Sequence, residues 1–272
     1  MSRLAGKVAV VVGAGQTAGE TVGNGRAVAI TFAREGARLL LVDRDAASLK
    51  ETRSLLQGPE ADAAETLGVD IASAGGAESV VARCVEVFGR LDVLHNNVGI
   101  AVGDASPTSL TEEAWDRIVD VNLKATWRTC KAAVLQLRAQ GDGGSGGGGS
   151  IVNISSVAAI AAAGNLTAYK ISKAGVNALT QNLAVTNARY GIRVNAIMPG
   201  LIDTPMAVDA VARSMGVTRD EVASARAARV PLRHQGTAWD VANAALFLAS
   251  DEAAFITGVC LAVDGGQSAM VG

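Results

Sequence analysis

The sequence predicts an α/β fold in which one doubly wound parallel sheet forms a single domain, and three observations support this prediction. The chain has 272 residues, a length that suits one large domain. It is 49% hydrophobic but only 3% aromatic, so its core consists mainly of Ala, Val, Leu and Ile, as in a parallel sheet covered by helices. Short apolar runs alternate with helix-like segments from Lys7 to Gly266.

The elements follow from these patterns in order. Strands are predicted at 7–12, 37–43, 66–69, 91–97, 151–155, 192–200 and 258–266. Helices are predicted at 26–35, 45–56, 77–88, 112–140, 167–190 and 239–248, with helical and loop material over 201–235. Thr111 is the expected N-cap of the long helix, since Glu112 and Glu113 in its first turn favour the helix dipole. The stretch GDGGSGGGGS, residues 141–150, is expected to be a flexible surface loop and not a domain boundary.

Composition and charge exclude several classes of function. The net charge is −2, the isoelectric point is about 5.8 and the basic residues do not cluster, which argues against a nucleic-acid or membrane partner. Cys84, Cys130 and Cys260 are far apart and are interpreted as reduced thiols in a cytoplasmic protein. No signal peptide or membrane-spanning run is expected. His95 and His234 are interpreted as structural, because neither has metal ligands at a suitable spacing, and no metal site is predicted.

The first chemical signal is the stretch GAGQTAGETVGNG directly after the first predicted strand. A dinucleotide diphosphate needs a tight turn, close approach of the backbone and free N–H groups at a helix start, which Gly23-Asn24-Gly25 can provide. Alone, such a cluster could be an ordinary turn. Asp43 at the end of the second strand can bind ribose hydroxyls and would repel a 2′-phosphate, so NAD is favoured. Arg44 beside it could accept that phosphate, so NADP stays possible.

The second chemical signal is the pair Tyr169 and Lys173, four residues apart on one face of a predicted helix. A cation near a phenol favours the phenolate, so we expect the pKa of Tyr169 to fall toward the working pH of a general acid/base. Ser156 follows an apolar run and offers a hydroxyl for a substrate oxygen. Alone, the pair could be two surface residues that share a spacing by chance.

The chemical candidates share one location in the predicted sheet. In an open α/β sheet, ligands bind outside the carboxyl ends of the strands. The candidates that fall at or near such ends are Asp43, Asp70, Asn97, Ser156 and Pro199-Gly200. Isolated turns would not predict this shared position.

With these residues in view, the chain resembles the short-chain dehydrogenase/reductase family from Lys7 to Gly266. The motifs that carry the resemblance are the glycine-rich turn, Asn96-Asn97-Val98-Gly99, Asn122 in DVNLKA, Ser156 in NISS, Tyr169-x-x-x-Lys173, Pro199-Gly200 and Val263-Asp264-Gly265-Gly266. Val98 is a conservative departure, since alanine is usual there. The resemblance implies a Rossmann-type sheet and a homotetramer, or a dimer, built on the helices that carry Asn122 and Tyr169.

The resemblance also implies the site. Tyr169 would exchange the substrate proton, Lys173 would lower the tyrosine pKa and bind the nicotinamide ribose, Ser156 would orient the substrate oxygen, and Asn122 would hold a water in a proton relay. Ser156 is chosen over Ser155 by its spacing of thirteen residues from the tyrosine. The full set of expected cofactor contacts is Gly13, Gly23, Asn24, Gly25, Asp43, Arg44, Asp70, Ile71, Asn97, Val98, Gly99, Tyr169, Lys173, Pro199, Gly200, Ile202 and Thr204. The expected substrate pocket comprises Ser156, Ala158, Leu201 and Met206, under a lid at about 203–230.

One departure from the family pattern is large. Gly13 and Gly25 are twelve residues apart where the family has six, so the turn carries six extra residues. Either Gly13 is the first glycine of the motif and the insertion follows it, or the motif begins at Gly19. The insertion also brings Glu20, whose charge would be unfavourable beside a diphosphate unless it points outward. We expect a loop that bulges over the adenosine half, with cofactor binding retained.

These inferences lead to one functional hypothesis and its alternatives. The leading hypothesis is an NAD(H)-dependent oxidoreductase that interconverts a secondary alcohol and a ketone. The small apolar residues of the pocket favour a hydrophobic or cyclic substrate. The alternatives are another reaction on the same fold (dehydration, isomerisation or imine reduction) and a low-turnover NAD-binding sensor or scaffold.

Overall fold

The computed structural model describes residues 2–141, 148–161 and 164–270. Its centre is a parallel sheet of seven strands in the order β3-β2-β1-β4-β5-β6-β9, which confirms the predicted fold class. These strands are β1 Val8–Val12, β2 Arg38–Asp43, β3 Glu65–Gly68, β4 Val93–Asn96, β5 Gly149–Ile154, β6 Ile192–Pro199 and β9 Cys260–Val263. Most of the predicted glycine-rich loop at 141–150 lies outside the described residues.

Helices cover both faces of the sheet. The helices are α1 Asn24–Arg34, α2 Ala46–Ser54, α3 Gly76–Phe88, α4 Glu112–Val119, α5 Ala125–Gly141, α6 Thr167–Asn187, α7 Asp209–Met215, α8 Arg219–Ala227 and α9 Ala238–Ala249. Alternate residues of β1 point to opposite faces: Val11 packs in a core with residues of α1 and α9, and Val10 packs in a core with residues of α3 and α5. Both faces are therefore buried, as the apolar strands predict.

The predicted long helix at 112–140 is not uniform. It begins at Glu112, and the Thr111 side chain accepts a hydrogen bond from the Ala114 amide at 3.2 Å, which confirms the expected N-cap. A π-helical turn over Asp120–Lys124 then separates α4 from α5 and contains Asn122. Such turns insert one residue into an α-helix and are frequent at functional sites.

The strand order reverses between β1 and β4, and this reversal opens a crevice at the carboxyl end of the sheet. Above the crevice, residues 202–237 form a small subdomain, which contains the predicted lid at about 203–230 and is called the lid below. The short strands β7 Ile202–Asp203 and β8 Gly236–Thr237 pair at its base, and the helices α7 and α8 lie between them with a small core of their own around Val208 and Val222. Within the described ranges, none of the helices has the length and apolar character needed to cross a membrane.

Candidate active site

A cleft of about 1560 Å³ lies at the carboxyl end of the sheet, beneath the lid. Single-ligand pockets usually occupy about 300–1000 Å³, so this cleft has room for a dinucleotide and a second molecule. Every residue predicted from the sequence to bind cofactor or substrate lines it. Of the four predicted catalytic residues, Ser156, Tyr169 and Lys173 line it and Asn122 does not.

The glycine-rich turn closes on itself at two of its glycines. Gly13 has a φ of +82°, which favours glycine, and a side chain there would lie 3.1 Å from Val98. A Cβ on Gly25 would lie 1.8 Å from the carbonyl oxygen of Gly13 and 2.8 Å from the side-chain nitrogen of Asn97. The start of α1 can approach the end of β1 only because Gly25 lacks a side chain, and Gly13 lies close to Val98 for the same reason. Gly13 is therefore the first glycine of the turn, and the extra residues follow it.

The packing of Gly19 does not support the alternative register, in which Gly19 would be the first glycine of the motif. A Cβ on Gly19 would lie 2.7 Å from Asp209 and 2.7 Å from Pro205, which places Gly19 against the lid. We expected the insertion to lie over the adenosine half of the cofactor, and for most of it this is wrong. Its first residues do lie beside β2, where the Gly15 amide donates to Asp43 at 3.0 Å, but its tip around Glu20 contacts the lid. The Glu20 side chain is exposed, so its charge points outward.

The start of α1 presents donors to the cleft. The first N–H groups of a helix have no partner within it, and the N-cap residue here is Gly23, which has no side chain to bind them. Its own N–H donates to the Gln16 side chain at 2.9 Å. The buried Oδ1 of Asn24 has no hydrogen-bond partner among the described residues. Free main-chain amides and the absence of acidic residues from the first turn fit a dinucleotide diphosphate, whereas the Asn24 oxygen needs a donor and would suit a hydroxyl.

The cleft is acidic beside the carboxyl end of β2. Asp43 and Asp45 both line it, with Arg44 between them. The main chain fixes the Asp43 carboxylate, because Oδ2 accepts from the Gly15 amide at 3.0 Å and Oδ1 accepts from the Asp45 amide at 3.1 Å. Asp45 caps α2 by accepting from the amides of Ala47 and Ser48. An oriented carboxylate with lone pairs to spare fits the hydroxyls of a ribose.

Ser156, Tyr169 and Lys173 meet where β5 and α6 converge. Ser156 follows β5, its hydroxyl accepts from the Ala158 amide at 3.1 Å, and it lies near enough to the phenol of Tyr169 to lower the pKa of that phenol. The Lys173 ammonium lies 5.8 Å from the centre of the Tyr169 ring. It donates to the Ile154 carbonyl at 2.8 Å, which holds it at the end of β5. Ser155 instead donates to the Lys173 carbonyl at 2.9 Å, so its hydroxyl bonds α6.

We expected Lys173 to lower the pKa of Tyr169, and for the chain by itself this direction is wrong, because the pKa is raised. Burial raises the pKa of Tyr169, and the nearby Ser156 hydroxyl opposes this increase. Lys173 is almost fully buried, and burial lowers its pKa to about 8. A lysine with a pKa of about 8 is still about nine-tenths protonated at pH 7, so Lys173 keeps its charge there and loses it as the pH rises through 8. The spacing of the pair could not reveal how deeply it is buried.

Asn122 lies behind the cleft and is fully buried in the π-helical turn. Its side chain accepts from the Ile100 amide at 2.8 Å and donates to the Ile100 carbonyl at 2.9 Å and to Ser172 at 3.1 Å. These bonds fix the segment after β4 against α6. The Asn122 side chain is therefore occupied by protein groups, and the expected role of Asn122 in holding a water stays a prediction.

Sequence reasoning missed Asp104, which holds the start of α6. Its carboxylate accepts from the amides of Ala168 at 3.1 Å and Tyr169 at 2.8 Å, where α6 has no side-chain cap of its own. Thr167 adds a bond to the Ala105 carbonyl at 2.7 Å. The backbone that carries the phenol is thus fixed from outside the helix. A lone Asp in a loop gave no signal of this role.

Two other groups of cleft residues were also missed. The segment after β9 contributes Gln267, Ser268 and Met270, and the Gln267 side chain accepts from the Leu201 amide at 2.8 Å. The lid contributes three arginines, Arg226, Arg229 and Arg233. Long-range contacts place these residues, and their local sequence has no motif that would have identified them.

The histidines and cysteines lie away from this chemistry. His95 is buried with its ring edge toward Phe32, and burial lowers its pKa to about 3; His234 is exposed. Burial raises the pKa of the Cys84 and Cys130 thiols to about 12. In the ranges that the structure describes, no three or more Asp, Glu, His or Cys side chains form a group suited to a metal ion.

Comparison with known proteins places this geometry in a family. Residues 18–268 match a family profile described as enoyl-(acyl carrier protein) reductase. The chain is 35% identical to the 2-(R)-hydroxypropyl-CoM dehydrogenase of Xanthobacter autotrophicus, over 97% of this chain and 99% of that protein. It is also 35% identical to the levodione reductase of Leifsonia aquatica, over 98% and 96% of the two chains. The chain is a short-chain dehydrogenase/reductase.

The fold agrees with this assignment. A solved structure of levodione reductase superimposes on this short-chain dehydrogenase/reductase with a TM-score of 0.89 at 33% identity, covering 99% of this chain and 100% of the other. The family match begins at residue 18, inside the inserted turn.

Proposed function

We propose that this chain is an NAD(H)-dependent oxidoreductase that interconverts a secondary alcohol and a ketone. The observation that carries the proposal is the convergence of Ser156, Tyr169 and Lys173 on one cleft, with the Lys173 ammonium 5.8 Å from the centre of the Tyr169 ring. A hydroxyl and a phenol that face one point can both bind a substrate oxygen. The nicotinamide dinucleotide supplies or accepts the hydride when bound.

The chain's own residues handle the proton. In the reduction direction, the carbonyl oxygen accepts hydrogen bonds from Ser156 and Tyr169, and Tyr169 donates its proton to the alkoxide that develops on that oxygen. In the oxidation direction, the phenolate removes the proton of the alcohol. A cation near the phenol stabilises the phenolate, and Lys173 is the nearest candidate. Asp104 holds the Tyr169 amide and so keeps the phenol aimed into the cleft.

The substrate side of the cleft contains small and apolar side chains, among them Ala158, Leu201 and Met206. These support a hydrophobic or cyclic substrate. The experiment that tests the function is a panel of cyclic and linear secondary alcohols incubated with NAD, with nicotinamide absorbance as the readout. We expect reduction of NAD with at least one cyclic alcohol. Binding of NADH without turnover of any alcohol or ketone would favour the sensor alternative.

We expect NADH to bind at least about tenfold more tightly than NADPH. The reason is that Asp43 and Asp45 both line the cleft beside β2, where a 2′-phosphate would meet two carboxylates. Fluorescence titration of both cofactors measures the preference, and Asp43→Asn should reduce it. Asp116→Asn, on the exposed side of α4, is the control and should leave it unchanged. Tighter binding of NADPH by the unaltered chain would assign the choice to Arg44 instead.

Apolar side chains stay exposed on the helices where the family resemblance locates subunit contacts. Trp127 and Leu135 of α5 and Ile171 and Val185 of α6 are all more than two-fifths exposed. This surface supports the expected homotetramer, which stays a prediction.

A further inference from the structure

The tip of the inserted turn binds the lid through three separate contacts. The Glu20 amide donates to Oδ1 of Asp209 at 3.0 Å, the Thr21 hydroxyl donates to Asp203 at 3.4 Å, and Arg213 donates to the Ala18 carbonyl at 3.2 Å. Gly19 permits this approach, since a side chain there would lie 2.7 Å from Asp209. Four consecutive residues of the turn thus pack or bond against the lid.

Arg219, the first residue of α8, lies at the centre of this contact. It forms an ion pair with Asp203, and its Nε lies 3.7 Å from both Glu20 and Asp209. Asp209 is only 7% exposed. Its Oδ2 and the Arg219 Nε are both buried without a hydrogen-bond partner among the described residues. Because an unpaired buried donor and acceptor cost free energy, a small movement that brought Arg219 Nε and Asp209 Oδ2 into a hydrogen bond would be favourable.

The turn and the lid also share the cleft. Gln16, Thr17 and Gly23 of the turn line it on one side, and Pro205, Ala210 and Ser214 of the lid line it on the other. The contacts from Ala18 to Thr21 join these two walls. The junction ends two residues before Gly23, the N-cap of α1, where the free amides that would bind a diphosphate begin.

We propose that the inserted turn and the lid form a clasp over the cofactor diphosphate, fastened by Asp209 and Arg219 as positioning residues. The clasp is defined here as Ala18–Thr21 with Asp203, Asp209, Arg213 and Arg219. The dinucleotide leaves only when the clasp opens, and opening moves the lid that covers the substrate side. Cofactor release and lid movement are therefore coupled. The identity of the ligand rests on the proposed function, whereas the contact between the turn and the lid is observed directly.

The test compares Asp209→Ala with Asp220→Ala, which removes an exposed carboxylate from the same lid and touches no residue of the turn. We expect Asp209→Ala to speed the dissociation of NADH by about tenfold in stopped-flow fluorescence, because a hydrogen bond to a charged group is lost. Asp220→Ala should stay within about twofold of the unaltered chain. Asp209→Asn keeps an acceptor for the Glu20 amide and should recover most of the slow release.

Hydrogen exchange on the cofactor-free protein tests the contact without any reaction. In Asp209→Ala, exchange should accelerate both in 16–22 and in 204–215, although only the second segment contains the substitution. Faster exchange in 204–215 alone would mean that Asp209 only stabilises α7, and would overturn the proposal. Unchanged NADH release with faster exchange in both segments would overturn the role over the cofactor.

Gly19→Ala tests the same junction from the other side. Gly19 does not have a left-handed backbone conformation, so alanine is tolerated locally and its Cβ pushes the turn from the lid. We expect the same fold-change in NADH release, and no further increase when it is combined with Asp209→Ala. Additive effects would contradict a shared clasp. If neither the unaltered chain nor any variant binds NADH, the proposed function fails. The hydrogen-exchange results would still show whether the turn and the lid are in contact.

Discussion

Replacing Tyr169 with phenylalanine should lower the turnover number by about a thousandfold, the usual contribution of a positioned general acid/base. The variant loses the proton that the substrate oxygen receives but keeps the ring that packs beside Lys173. The affinity for NADH should change by less than about threefold, because the sites at the start of α1 and at Asp43 are untouched and only the contact of the phenol with the nicotinamide ribose is lost. Steady-state kinetics with the best alcohol from the panel and an NADH titration measure the two effects.

The chain has one other tyrosine, which offers a matched control. Tyr190 lies beyond α6, and its hydroxyl accepts from Arg189 at 2.7 Å, away from the cleft. Tyr190→Phe should keep full turnover. A Tyr169→Phe variant that kept more than a tenth of the activity would contradict the mechanism and direct attention to Ser156 as the proton donor.

Replacing Gly25 with alanine should cause the largest loss of cofactor affinity. The new methyl group would lie 1.8 Å from the Gly13 carbonyl, so α1 must move away from β1. Such overpacking costs about 3 kcal/mol or more. We expect the melting temperature to fall by roughly 5–10 °C and the Kd for NADH to rise by at least about a hundredfold. Thermal unfolding and NADH fluorescence measure these changes.

Gly68→Ala is the control, since a methyl group there would meet only Ala46 at 3.5 Å, an ordinary contact. It should bind NADH as the unaltered chain does. Normal NADH binding by Gly25→Ala would contradict the assignment of the start of α1 as the diphosphate site. Another part of the turn would then bind the diphosphate.

The sequence was sufficient to predict the sheet and most of the cleft. Buried parallel strands are apolar throughout, so their runs are visible without any partner. Residues at the carboxyl ends of those strands must gather in one place, which is why Asp43, Ser156 and Pro199 were predicted together. The spacing that is usual in the family selected Ser156 over Ser155, and in the structure the Ser155 hydroxyl is bound to the Lys173 carbonyl.

The features that were missed depend on contacts between loops. Glu20 and Asp209 are 189 residues apart, and Asp104 and Tyr169 are 65 apart. Hydrogen bonds of this kind follow no period, because a single carboxylate in a loop can cap any helix that it reaches. The Tyr169 pKa was predicted in the wrong direction for a related reason: burial depends on the packing of the whole lid and sheet, and not on the spacing to Lys173.

The π-helical turn at Asp120–Lys124 has a consequence for how this chain is compared with others. One residue of an α-helix turns the next side chain by about 100°. The extra residue therefore gives α4 and α5 two different phases, so that α4 can pack on α6 while α5 packs on α3. A sequence alignment with a relative could place the extra residue elsewhere in 112–141 and still match the total length. The side chains between the true and the assumed position, Asn122 among them, would then be assigned to the wrong side of the helix.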